Sequence, residues 1–162
     1  MDKQDMLVTQ NIDGLHQAAG SKTVYELHGS VERNHCLGRA HHFYSLNEIP
    51  AQPVVPVCPQ CGAMVRPDVV LYGEALDTAT VEASVEAISR ADVLVVGGTS
   101  LAVYPAAGLL QYYPGRKLAL VNLSRTPMDS QADLVIHETV AQVVGKVCDQ
   151  LYHRAHPIGG GR

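Results

Sequence analysis

Three observations predict an α/β fold. Short apolar runs at residues 6–8, 92–96 and 117–121 each end in polar or glycine-rich residues, as strands do when they deliver side chains to a sheet edge. Stretches of helical periodicity at residues 77–90 and 139–151 lie among them, and a proline- and cysteine-rich segment at residues 34–66 interrupts the alternation. Strands and helices in this order pack as a parallel sheet with helices on both faces, a Rossmann-like arrangement. The expected division is residues 1–33 and 67–152 as the main domain, residues 34–66 as a small insert, and residues 153–162 as a flexible tail.

Composition narrows the function classes. At 162 residues the chain is roughly one domain, and 46% hydrophobic with 17% charged residues excludes a disordered segment. A formal charge of −4 argues against nonspecific nucleic-acid binding, so no nucleic-acid partner is expected. No apolar run approaches the roughly 18 residues a membrane span requires, and no membrane partner is expected. The opening MDKQDMLV has no apolar leader core. Four cysteines, two of them spaced as Cys58-Pro59-Gln60-Cys61, point to a reducing compartment and a metal or redox role, which makes the cytoplasm the expected location.

The chemistry is expected in residues 9–29. Met6, Leu7 and Val8 read as a buried strand ending in Thr9-Gln10-Asn11, and residues 24–27 as a second strand stopping at His28-Gly29. Neighbouring ends would bring together two amides (Gln10, Asn11), a carboxylate (Asp13) and an imidazole (His28), with Gly29 allowing close backbone approach. Such groups suit gripping a carboxamide and moving a proton. Singly, each has a plainer reading: Asn11 a turn, Asp13 a helix N-cap ahead of residues 14–19, His28 a structural side chain.

In the insert, Pro50, Pro53, Pro56 and Pro59 break any long helix or central strand. Cys58-x-x-Cys61-Gly62 has the form of a zinc knuckle, with a redox pair as the alternative; Cys36 can supply a third thiolate, and Pro59-Gln60 opens no amphipathic helix, which favours zinc.

The run Arg66-Pro67-Asp68-Val69-Val70-Leu71-Tyr72-Gly73-Glu74 reads as a strand leaving the insert and rejoining the main sheet. Asp77 or Thr78 can cap a helix through Arg90 whose apolar face is Val81, Val85 and Ile88. Residues 92–96 form a β-branched run typical of a strand buried on both faces, followed by Gly97-Gly98-Thr99-Ser100 and a helix from Pro105, a credible phosphate or ribose cradle. Residues 117–121 repeat the pattern and end in Asn122-Leu123-Ser124; residues 133–136 are a last short strand. A capping box, Thr139-x-x-Gln142, opens a helix with Val140, Val143, Val144, Val147 and Leu151 on one face, and Cys148 is expected to pack within it.

Taken jointly, Thr9-Gln10-Asn11-Ile12-Asp13-Gly14-Leu15-His16, Ala19-Gly20-Ser21 and Glu26-Leu27-His28-Gly29-Ser30 resemble the sirtuin family of NAD-dependent protein deacylases, and further family motifs follow in order. The resemblance implies NAD as cofactor and an acylated-lysine protein or peptide as substrate, with the acyl group passing to ADP-ribose as nicotinamide leaves. His28 would be the base on a ribose hydroxyl, Asn11 and Asp13 would hold the nicotinamide amide, and Gln10 would sit by the ribose. Gly98, Thr99 and Ser100, with Val103-Tyr104-Pro105-Ala106-Ala107 after them, match the NAD-binding loop, and Asn122, Leu123 and Ser124 an adenosine-ribose contact. Val70 and Tyr72 match the lysine tunnel, Gly73 and Glu74 the positions that pair with the peptide backbone.

Two departures qualify the resemblance. Sirtuins hold structural zinc with two cysteine pairs, and here Arg39 stands where the second cysteine of the first pair belongs. Arginine cannot ligate a cation, so Cys36, Cys58 and Cys61 need a fourth partner from His35, His41 or His42, or the site is empty. The glycine-rich turn that seats a dinucleotide pyrophosphate is also missing, since the family places it upstream of residue 9. The resemblance covers about residues 5–152 but only the C-terminal part of a typical domain. The expectation is therefore a shortened deacylase with little or no turnover alone, prone to self-association through an exposed sheet edge. Mono-ADP-ribosyl transfer and a non-catalytic, zinc-stabilised peptide-binding remnant are the alternatives.

Overall fold

A computed structural model describes residues 6–39, 41–115 and 117–156. The chain divides into two compact units, residues 1–87 and 88–162.

The first unit opens on β1 (Met6–Thr9), a short helix α1 (Leu15–Ala18) and β2 (Thr23–Glu26). β1 and β2 pair in parallel, Met6 opposite Thr23 and Thr9 opposite Glu26, so both strands finish at the same level. α1 is a single turn begun by Gly14 at φ +67°, and the Asp13 carboxylate accepts the Leu15 N–H at 3.1 Å.

β3 (Gly29–Cys36), β4 (Phe43–Ser45) and β5 (Val65–Val69) then form an antiparallel ribbon in the order β4-β3-β5. The strand expected across residues 66–74 is thus shifted: it ends at Val69, and it pairs antiparallel with β3, Gly29 opposite Val69, instead of rejoining a parallel sheet. Residues 70–74 are a turn, because Gly73 adopts φ +87° and Glu74 N–H bonds back to the Leu71 carbonyl at 3.0 Å. The ribbon runs past the expected insert on both sides. α2 (Thr78–Ser89) follows, its start held by Asp77, whose carboxylate accepts the Thr80 N–H at 2.7 Å.

The second unit contains β6 (Leu94–Gly97), β7 (Leu118–Val121) and β8 (Leu134–Ile136), all parallel, with β7 in the middle. Central placement explains why Leu118, Leu120 and Val121 are buried. β6 does not match its expectation of burial on both faces: Val95 is 60% exposed, because alternate residues point to opposite faces and only one face of β6 is covered among the described residues. The segment after Pro105 is a 3₁₀ helix, Ala106–Tyr112, rather than an α-helix.

α3 (Val140–Ala155) departs from expectation more. The Thr139–Gln142 capping box does not form, since the Thr139 side chain caps nothing and only its carbonyl is used, by the Gln142 and Val143 N–H groups. No residue of α3 is buried, Val144, Val147 and Leu151 are exposed, and Cys148 is an exposed free thiol rather than a packed one. The helix also continues through residues 153–155 of the expected tail; residues 157–162 lie outside the described part. No described helix is long and apolar enough to cross a membrane.

Candidate functional site

Because β1 and β2 are parallel and end level, Gln10 and His28 emerge side by side. His28 Nδ1 lies 3.1 Å from the Gln10 carbonyl oxygen. A carbonyl only accepts, so Nδ1 carries a proton, and in the neutral ring Nε2 then keeps its lone pair, which is the tautomer a general base needs. The strand ends are pinned by two further bonds: Leu27 N–H to the Thr9 carbonyl at 2.9 Å and Asn11 N–H to Thr9 Oγ1 at 3.0 Å. Asn11 and Asp13 are both exposed at this end, offering an amide and a carboxylate, a donor and acceptor set that fits a carboxamide.

Gly29 is the joint. It adopts φ +74°, and a Cβ there would collide with the Asp68 carbonyl oxygen, so only glycine lets β3 turn away from β2 against β5. Across that joint the Val70 N–H donates to the His28 carbonyl at 3.0 Å. One hydrogen bond therefore separates the imidazole residue from residues 70–74. In that turn Val70 is half-buried, while Tyr72, Gly73 and Glu74 are exposed.

Arg33 braces the joint: Nη1 lies 2.6 Å from Glu26 Oε2 and Nε 3.3 Å from Asp68 Oδ2, tying the end of β2 to β5. The Glu26 side chain is 6% exposed, so this partner satisfies a buried charge.

In the ribbon, Cys36, His42, Cys58 and Cys61 converge, with all four ligand atoms within 4.8 Å of one another. The Sγ atoms of Cys36 and Cys61 are 3.8 Å apart, and His42 Nδ1 lies 3.3 Å from Cys58 Sγ and 3.8 Å from Cys36 Sγ. Two thiolates at tetrahedral zinc bonding distance would stand about 3.8 Å apart, so the Cys36–Cys61 separation matches a shared zinc, and three thiolates with one imidazole are a donor set that suits it. His42 is delivered by strand pairing: its carbonyl accepts the Cys36 N–H at 2.9 Å, and its own N–H donates to Cys36 Sγ at 3.2 Å. Arg39 is exposed, and His35 and His41 are not in the cluster. Gly38 leaves the room required, since a Cβ there would stand 2.7 Å from Cys61 Sγ. Gly62, at φ +72°, closes the Cys58–Cys61 knuckle with a 2.8 Å bond to the Cys58 carbonyl.

The electrostatics suit a cation. Burial pushes the Cys58 thiol up, but hydrogen bonds from Tyr44, His42 and the Gln60 and Cys61 backbone outweigh it and bring the thiol down to about 5. The Tyr44 hydroxyl donates to that sulfur at 3.0 Å and is itself pushed up to about 12. Neither Tyr44 nor Gly38 stood out in the sequence; a tyrosine two residues beyond the ligating histidine was the only signal.

In the second unit, Gly98 takes φ +65° after β6. Thr99 Oγ1 accepts the Leu101 N–H at 3.2 Å and Ser100 Oγ the Ala102 N–H at 3.4 Å, so both hydroxyls shape their own loop. Asn122 donates to the Ser124 carbonyl at 2.7 Å, which closes the turn after β7; Leu123 and Ser124 are exposed.

A model of the Sir2 family matches residues 1–105. This chain belongs to the Sir2 family. It is 55% identical over 150 residues to a protein named NAD-dependent protein deacetylase from Clostridium perfringens, covering 92% of this chain and 61% of that protein. A protein of the same name from Clostridium acetobutylicum is 54% identical over 145 residues, 90% of this chain and 59% of its own length. Among solved structures, one described as Sir2 bound to acetylated peptide superposes with a TM-score of 0.84 at 37% identity, over 91% of this Sir2 chain and 64% of that one. Another, described as a Sir2, p53 peptide and NAD+ complex, gives 0.83 at 37% identity over 91% and 63%. This Sir2 chain spans about three fifths of the length of the curated relatives it matches.

Proposed function

We propose that this chain carries the base-bearing and acyl-peptide-binding part of an NAD-dependent protein-lysine deacylase. The observation that carries the reading is the run of contacts from the Gln10 carbonyl to His28 Nδ1 and from the His28 carbonyl to the Val70 N–H, which sets a base tautomer one bond from a turn with open backbone. Relatives named as deacetylases, and a related Sir2 described as bound to acetylated peptide, support the same chemistry.

In this reading His28 Nε2 takes the proton of a ribose hydroxyl, while the Gln10 carbonyl holds the ring and stabilises the positive charge that follows. Asn11 and Asp13 grip the nicotinamide carboxamide; Gln10 lies by the ribose. NAD supplies the ribose carbon from which nicotinamide departs. Gly98, Thr99 and Ser100 line its phosphates and ribose, with Asn122, Leu123 and Ser124 beside the adenosine. Val70 and Tyr72 flank the acyl-lysine stem, and Gly73 and Glu74 belong to the backbone that pairs with the peptide, a mode that tolerates varied sequences. Zinc held by Cys36, His42, Cys58 and Cys61 is structural, because all four positions are taken by protein. Residues 34–66 form the insert, and residues 1–33 and 67–152 belong to the cofactor-binding domain. Four free cysteines support a cytoplasmic location.

The test is a single-turnover reaction with zinc-loaded chain in excess over an acetyl-lysine peptide, with NAD, followed by mass spectrometry. Loss of the acetyl group, slowed by roughly 10²-fold or more in His28→Ala, is expected. A peptide that gains ADP-ribose instead would favour mono-ADP-ribosyl transfer, and a peptide that binds but stays unchanged would favour the non-catalytic, zinc-stabilised peptide-binding remnant.

A further inference from the structure

The turn at residues 70–74 is closed by one ion pair that no motif reading assigns. Arg66 Nη1 lies 3.0 Å from Glu74 Oε1 and Arg66 Nη2 3.2 Å from Glu74 Oε2, a two-point pairing of guanidinium and carboxylate. The same Nη2 donates to the Val69 carbonyl at 2.8 Å, and the same Oε2 accepts the Leu71 N–H at 2.9 Å. The pair therefore links β5, where Arg66 and Val69 sit, to both ends of the turn. Arg66 Nε also donates to the Pro67 carbonyl at 3.3 Å, and a planar guanidinium with four acceptors in place has little freedom left, which a lysine would not reproduce. Arg66, then the Leu71 N–H, hold the Glu74 carboxyl down at about 2, so the contact stays charged at any working pH.

The bonding is one-sided. Leu71, Glu74 and Val69 spend backbone groups on the clamp, and Val70 spends its N–H on His28. Among the described residues, the Val70 carbonyl and the backbone groups of Tyr72 and Gly73 make no hydrogen bond, and the Tyr72 side chain is fully exposed. An ordered turn with unpaired outward groups is what strand addition by an extended peptide requires.

We propose that Arg66, acting through Glu74, is a positioning residue that holds residues 70–74 in the conformation that pairs with an acyl-lysine peptide. The proposal rests on the reading of this turn as the peptide-pairing segment. Since exposed ion pairs contribute little to global stability, the clamp acts on local order and on binding, not on the melting temperature.

The test compares Arg66→Met and Arg66→Lys with the wild-type zinc-loaded chain, by residue-resolved hydrogen exchange and by fluorescence anisotropy with a labelled acetyl-lysine peptide. In Arg66→Met the Leu71 and Glu74 amides should exchange roughly tenfold faster and the peptide should bind roughly tenfold more weakly. Melting should move by no more than about 3 °C. Arg66→Lys should recover part of both effects. Unchanged exchange would overturn the proposal, as would faster exchange with unaltered peptide affinity. If the wild-type chain binds no acetyl-lysine peptide, the reading of the turn itself falls and the proposal with it, an outcome separable from the first two because exchange is read independently. Glu74→Gln keeps an acceptor for Leu71 but loses the charge; an intermediate result is expected there, and it serves if Arg66→Met does not fold.

Discussion

The ribbon of the first unit and the parallel ladder of the second bury themselves by different means. In the ribbon the buried cluster is Cys36, Cys58 and Val65, with Tyr44 and Ile49 packed against it, so its centre is largely ligand sulfur. In the ladder the centre is β7, whose Leu118, Leu120 and Val121 are buried by neighbours on either side, while the apolar stripe of α3 stays open. The ribbon is centred on a set of metal-ligand side chains, the ladder on one strand, and α3 contributes little to either.

The largest effect should come from removing zinc. Structural zinc in small domains is worth on the order of 10 kcal/mol or more, whereas burying one aliphatic side chain gives roughly 1.5–3 kcal/mol. Chelation, or Cys58→Ser, should therefore abolish amide protection across β3, β4 and β5 and leave β7 protected, as read by hydrogen exchange. Protection of the ribbon without metal would mean that its apolar contacts suffice to hold it.

Within the ladder, Leu120→Ala should cost about 2–5 kcal/mol by denaturant melting, because Leu120 is 2% exposed and central. By contrast Leu151→Glu on α3, where the residue is 58% exposed, should change stability by no more than about 0.5 kcal/mol. Equal costs would show that the α3 stripe is packed after all.

The smallest effect concerns pH at the ribbon's edge. Glu74 is depressed from 4.5 to about 2, so its contribution is complete above pH 4.5 and is lost only as pH falls through about 2. Chemical shifts of residues 70–74 should hold steady down to about pH 3 and move below it, whereas a midpoint near 4.5 would indicate no clamp in solution.

Legibility followed sequence distance. The ends of β1 and β2 were readable because a short apolar run followed by polar residues is a local pattern, and parallel pairing makes neighbouring ends coincide. The Cys58–Cys61 knuckle was readable for the same reason. The fourth ligand was legible only as one of His35, His41 and His42: Arg39 occupies the local spacing, and His42 is singled out because β3 and β4 pair antiparallel, His35 opposite Phe43, which returns the chain to Cys36. The Arg66–Glu74 spacing carries no helical or strand period, so the clamp was invisible as well. A continuous apolar run such as residues 93–96 could not tell a strand covered on one face from one covered on both, hence the misplaced burial of β6. The amphipathic pattern of α3 correctly gave a helix but not what covers it.

The proposed chemistry requires a proton on Nδ1 of His28 and none on Nε2 of the neutral ring. Long-range proton–nitrogen NMR of His28 in its neutral form, recorded without and with an acetyl-lysine peptide, tests this most directly. The Gln10 contact predicts a proton on Nδ1, a bare Nε2, and a perturbed His28 signal when peptide occupies the turn bonded to its carbonyl. A neutral ring protonated on Nε2, or a signal indifferent to peptide, would contradict it.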